Sequence, residues 1–170
     1  SSQKSIKNKS FIFISDVHLG SNSLKYLKKI ISKINKYNYD FILIGGDLID
    51  SSSINFDFLN EFKKLNCPVF FVTGNHEYYI KNSKDFINTL QNYNIQHISN
   101  TSTIFDNINL IGVDDNLSKE EKIDIVNQNL KKDYYNLLLV HKPSIWEELS
   151  KNIDLMLSGH THNGQIFPFN

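Results

Sequence analysis

The stretch Phe41-Ile42-Leu43-Ile44-Gly45-Gly46-Asp47 decides the fold: four apolar residues run straight into two glycines and a carboxylate. A short continuous apolar run bounded by turn residues reads as a strand covered on both faces. The glycines then allow a tight turn and a close backbone approach, with the acid just past the strand's carboxyl end. The same pattern recurs outward in both directions. Phe11–Ile14 leads to Asp16-Val17-His18, residues 69–72 to Gly74-Asn75-His76-Glu77, residues 137–140 to His141-Lys142, and Leu155–Leu157 to Gly159-His160-Thr161-His162. Because α/β sheets hold their ligand sites at the carboxyl ends of parallel strands, a parallel sheet is expected to bring all five pieces to one edge.

The intervening segments alternate with these strands, which predicts an α/β architecture with a largely parallel first sheet. Leu24, Leu27, Ile30, Ile31 and Ile34 recur at helical spacing, with Ser23 as N-cap, and residues 54–65 repeat a helical stripe through Phe58, Leu59 and Phe62. A helix over 83–92 is followed by three short runs, 95–98, 103–105 and 109–113. These read as neighbouring strands of antiparallel character that carry the chain into a second sheet. Residues 118–130 form a further helix with Ile123, Val126 and Leu130 on one face and Ser118 capping through Glu121. A short helix over 145–149 precedes the last strand.

With 170 residues and 40% hydrophobic side chains, the chain is long enough for one cored domain and too short for two ordinary ones. Eighteen basic and eighteen acidic residues balance to zero, so nothing marks a polyanion-binding surface and no nucleic-acid partner is expected. Cys67, the one cysteine, excludes an intramolecular disulfide and a cysteine-rich zinc site; before Pro68 it reads as a small buried hydrophobe. No apolar run approaches the roughly 20 residues that span a bilayer. A soluble domain is expected, cytoplasmic or membrane-associated, with residues 1–10 as a flexible lead-in. Residues 165–168 read as the start of another strand, so a C-terminal portion is expected to be missing.

Each motif taken singly has an ordinary structural alternative. Asp16 could cap a turn with His18 bonded nearby, Asp47 could serve an Asx-turn, residues 74–77 could be a simple turn, and His141 a satisfied core or surface histidine. Asp50, followed by Ser51-Ser52-Ser53, is read as a cap and left out of the site, and His97, with no partner motif, is read as structural. Jointly the pieces say more: all follow apolar runs, and they hold five of the six histidines. Asp16 and His18, like His160 and His162, alternate along the chain and can grip one cation together. Asp47 offers two oxygens and can bridge two metals, and Asn75 offers a neutral amide oxygen. His76 need not be a ligand; it could protonate a departing alkoxide if Glu77 or the substrate raises its pKa.

Two Asp, one Asn and four His without thiolates describe an open catalytic centre suited to Mn, Fe or Zn. Paired divalent ions stabilise in-line displacement at phosphorus, so phosphoester hydrolysis is the fitting reaction.

The ordered series Asp16-x-His18, Gly46-Asp47, Gly74-Asn75-His76-Glu77, the isolated His141 and Gly159-His160-x-His162 resembles the calcineurin-like metallophosphoesterase family. Within it, residues 45–50 and 158–166 look most like the bacterial membrane-associated phosphodiesterase branch. The resemblance implies an α/β fold, a four-layer αββα sandwich of two mixed sheets flanked by helices. It implies a hydroxide activated by two divalent metal ions that attacks a phosphodiester or pyrophosphate bond. Asp16, His18 and His162 would hold one metal; Asn75, His141 and His160 would hold the other, with Asp47 as bridge and His76 as proton donor. Glu77 stands where many members have Asp, which leaves its orientation of His76 open. A lipid-linked phosphoester substrate and peripheral membrane association are further expectations. The alternative is a catalytically silent scaffold, but such scaffolds typically lack ligands and this chain lacks none.

Overall fold

The structure, a computed structural model, describes residues 9–161. Residues 1–8 of the expected lead-in, His162 and the 165–168 run lie outside the described residues.

Strand parity explains the layers. β1 (Phe11–Ile14), β2 (Phe41–Ile44), β3 (Val69–Phe71) and β4 (Ile95–His97) form one parallel sheet in that order. Successive side chains of a strand point to opposite faces. Thus Ile42, Ile44, Val69 and Phe71 pack with Leu27 and Ile31 of α1 (Leu24–Ile34), with Phe58, Leu59 and Phe62 of a 3-10 helix (Phe56–Lys64), and with Phe86 of α3 (Ser83–Leu90). The four-residue α2 (His76–Tyr79) lies between β3 and α3 in the chain.

The alternate residues, Phe41, Leu43, Phe70 and Val72, turn the other way. They meet Ile108, Leu110, Leu137 and Leu139 of a second sheet, formed by β5 (Thr101–Phe105), β6 (Ile108–Val113), β7 (Tyr135–Val140) and β8 (Leu155–Leu157). Phe41 is central to this β/β core: its ring lies 5.4 Å from Phe11, 5.0 Å from Phe105 and 6.2 Å from Phe70. On the far face of the second sheet, Ile111, Val113, Leu138 and Val140 pack with Val126 of α4 (Lys119–Asn129) and Leu149 of α5 (Trp146–Leu149). Three apolar cores therefore separate four layers, helices, sheet, sheet and helices. Burying each such side chain contributes about 1.5–3 kcal/mol.

The structure corrects several local expectations. The five ligand-bearing strands do not share one sheet: β1, β2 and β3 belong to the first, β7 and β8 to the second. The 95–98 run is not in the second sheet; it closes the first, pairing parallel to β3 through the crossover that α3 supplies. Left-handed Asn100, with φ of 54°, turns the chain into the second sheet, where, among the described residues, only β5 and β6 pair antiparallel, around left-handed Asp106. Residues 56–64 wind as a 3-10 helix opened by Asn55, whose side chain accepts from the Asp57 N–H. Ser23 occupies the N-cap of α1 but makes no side-chain cap bond. Cys67 is half-buried rather than enclosed.

Candidate metal centre

The loops after β1 and β2 stay paired beyond the strands: the Asp16 N–H donates to the Gly46 carbonyl at 3.1 Å and the His18 N–H to the Asp47 carbonyl at 2.9 Å. The second sheet repeats this, with the Gly159 N–H donating to the His141 carbonyl at 3.0 Å. Two hydrogen bonds then tie the sheets together at this edge. His141 Nδ1 lies 2.7 Å from the Gly45 carbonyl, and the His160 N–H donates to the Asp16 carboxylate at 3.1–3.2 Å.

The side chains converge on Asp47, which is buried. Its Oδ1 accepts the His76 N–H at 2.9 Å; its Oδ2 lies 3.1 Å from His141 Nε2, 3.8 Å from His18 Nε2 and 4.0 Å from His76 Nε2. Asp16 Oδ1 is 3.9 Å from His18 Nε2, and His160 Nδ1 is 3.3 Å from His141 Nε2. Three groups of ligand atoms within 4.8 Å of one another result: Asp16–His18–Asp47 and Asp47–His141–His160, which share Asp47, and His18–Asp50–His76, which overlaps the first at His18. Asp16, His18, Asp47 and His160 all hold left-handed backbone, φ 49–67°. Such conformations are uncommon outside glycine and asparagine and cluster where function imposes them. Gly74 is required by closeness: a Cβ there would collide with the Asp47 carboxylate.

The donor set fits divalent cations. Because the Gly45 carbonyl can only accept, His141 Nδ1 carries a proton, which leaves Nε2 as the nitrogen that faces Asp47 Oδ2 and His160 Nδ1. Three potential ligand atoms thus face one another, and a cation can take the place of any proton held on Nε2. Asn75 Oδ1 is buried with no hydrogen-bond partner, an arrangement that costs about 1–3 kcal/mol unless something electropositive meets it. Asn75 stands between Gly74, which packs on Asp47, and His76, whose N–H binds Asp47.

Charge follows the same geometry. Burial alone would raise the Asp47 carboxyl, but the His141 hydrogen bond and charge, with the His76 N–H, hold it below its ordinary value. Burial opposes a charged His141; the Asp47 hydrogen bond and charge and the Gly45 carbonyl outweigh it and raise the ring. His18 and His160 are both lowered, by burial first, His18 then by His76 and His160 by His141 and Lys142. Neutral imidazoles are the form that binds metal.

Two acids differ from their sequence reading. Glu77 does not orient His76: its buried carboxylate accepts the N–H groups of Leu48 (2.7 Å) and Ile49 (3.1 Å) on Oε1, and of Asp47 (2.9 Å) and Gly74 (2.7 Å) on Oε2. Burial pushes it up to about 7 against those donors. Asp50 is not merely a turn residue. Its Oδ1 accepts the Ser21 N–H, while Oδ2 lies 3.5 Å from His18 Nδ1, where it turns His18 Nε2 toward Asp16 and Asp47. His97 is structural as expected from its isolation, bonded at 2.8 Å to Asp114.

The chain belongs to the calcineurin-like phosphoesterase family, whose sequence model matches residues 9–164. Relatives of the same description include an uncharacterised metallophosphoesterase of Helicobacter pylori, 36% identical over 96% of this chain and 47% of its own length. Another, from Aquifex aeolicus, is 32% identical over 90% of this chain and 62% of its own. A Danio rerio transmembrane protein with a metallophosphoesterase domain is 29% identical over 97% of this chain and 43% of its own. The chain thus spans about half the length of the curated relatives it matches. Among solved structures, a phosphopantetheinyl hydrolase from Mycobacterium tuberculosis shares the fold, with a TM-score of 0.56 over 91% of this chain and 83% of that one, at 14% identity.

Proposed function

We propose that this chain is a metal-dependent phosphoesterase that cleaves a phosphodiester or pyrophosphate bond at the Asp47-centred edge. The observation that carries this reading is that one buried carboxylate, Asp47, is common to two separate groups of ligand atoms. In this reading Asp16, His18 and His162 would hold one divalent ion and Asn75, His141 and His160 the other, with Asp47 shared between them. Such ions, when bound, lower the pKa of a water and neutralise phosphoryl oxygens. The chain's own residues do the rest. Gly45 fixes the His141 tautomer, Asp50 turns His18, and Glu77 holds the backbone that carries Asp47. In the same reading His76, whose side chain is 38% exposed and whose ring lies 4.7 Å from that of His18, would deliver a proton to the departing oxygen.

Asp47→Asn is expected to lower occupancy at both metal positions, and His76→Gln to keep the metals while losing about 10²–10⁴-fold in kcat. Elemental analysis alongside hydrolysis of bis(4-nitrophenyl) phosphate and 4-nitrophenyl phosphate, with added Mn²⁺, checks both. Full turnover in His76→Gln would remove the proton-donor role, and metal binding without any turnover in the wild type would favour a scaffold.

A further inference from the structure

Beside the ligand set lies a row of charges that the ligands do not use. Asp115 follows β6, and its side chain is 2% exposed. Its Oδ1 accepts from Lys122 Nζ at 2.9 Å and its Oδ2 from Lys142 Nζ at 2.6 Å. The Asp115 N–H also points to Thr73 Oγ1 at 3.4 Å, directly before the 74–77 loop. Lys122, on α4, is enclosed, with a side chain 5% exposed; Lys142 is half-buried, at 34%.

One carboxylate set against two ammonium groups leaves one positive charge. Lys122 already neutralises Asp115 inside the protein, so the surplus sits on the accessible cation, Lys142. That cation adjoins the site: Lys142 is the next residue after His141, whose Nε2 lies 3.1 Å from Asp47 Oδ2, and its partner Asp115 is tied through its N–H to Thr73, next to the 74–77 loop. An ammonium carries three N–H donors. Asp115 takes one and fixes the head group, leaving two directed away from it. A buried Lys–Asp pair is an expensive way to hold a surface lysine unless its position matters, because desolvating both charges costs several kcal/mol.

We propose that Lys142 is an anion subsite beside the candidate metal centre, one that binds a second phosphate joined to the phosphoryl group that the cations there would hold. This inference rests on the phosphoesterase reading and narrows it: a substrate with a diphosphate linkage satisfies both positions, whereas a simple diester satisfies one. Asp115 and Lys122 act as positioning residues, and Lys142 as the residue that touches the ligand.

The test is calorimetric binding of AMP and ADP to the full, metal-loaded chain, two ligands that differ by one phosphate. The wild type is expected to prefer ADP at least tenfold. Lys142→Met, which keeps the aliphatic stem and leaves the Asp115–Lys122 pair intact, is expected to erase that preference, and Lys142→Arg to retain most of it. Equal or absent binding of the two ligands by the wild type, or an undiminished preference in Lys142→Met with an unchanged melting temperature, overturns the assignment. Hydrolysis of bis(4-nitrophenyl) phosphate, followed in parallel, separates the two claims: its absence strikes the phosphoesterase reading, while the ADP-to-AMP ratio reports on Lys142 alone.

Discussion

Four backbone N–H groups from two loops end on the Glu77 carboxylate, so this side chain organises the peptide that presents Asp47. Glu77→Gln keeps the shape but sets an NH₂ against two of those donors. A loss of about 3 kcal/mol in urea unfolding is expected, because buried donors left without acceptors cost about 1–3 kcal/mol each. Metal content should fall with it; a loss under about 1 kcal/mol would mean the loops hold without Glu77. The contrast with the candidate ligands shows what the sequence could reveal at this scale. Asp16, His18, Asp47, Asn75, His141 and His160 follow apolar runs and announce themselves. Glu77 and Asp50 act through partners distant along the chain, Leu48 for one and His18 for the other. Their spacing after Asn75 and Asp47 is the only linear trace, and it reads equally well as an ordinary turn.

Among the elements, α4 is secured at its start as well as on its face. Val126 is buried with Ile123 and Ile125 packed against the same core, while Ser118 and Glu121 form a reciprocal capping box. Ser118→Ala is expected to cost about 1 kcal/mol by chemical denaturation. The loss should be smaller for Ser23→Ala, whose hydroxyl makes no cap bond to α1. Strands were the most legible elements, since doubly covered strands leave uninterrupted apolar runs such as Phe41–Ile44. The 56–64 segment was legible as helical through Phe58, Leu59 and Phe62, but those buried positions suit a 3-10 winding as well as an α-helix. Whether residues 95–97 paired forward with β5 or back with β3 depended on Asn100, one left-handed residue with no distinctive neighbours.

At the scale of the molecule, Asp114 joins the sheets. It leaves β6 of the second sheet and accepts from Thr73 Oγ1 at 2.8 Å, from Ser99 Oγ at 2.5 Å and from His97 at 2.8 Å, all on segments of the first. Burial works against this carboxylate, but the His97 hydrogen bond and charge, then Ser99 and Thr73, hold it below its ordinary value of 3.8. A depressed folded value means its stabilisation is complete above about pH 3.8 and is lost as pH falls through the lower value. Urea midpoints should therefore drop below about pH 4, and Asp114→Asn should start less stable and show a flatter acid limb in a pH series. The division into two sheets was not legible from strand residues alone, because a run buried on both faces looks the same whether helices or another sheet cover it.

That division has a consequence for how the protein is made. Asp16 and Asp47 leave the ribosome well before His141 and His160. A nascent chain can present at most half a cradle, and its acids stay solvated until the later half docks. On the proposed reading, retention of cations must wait for His141 and His160, and a fragment that stops before them would lack the donors that complete the cradle.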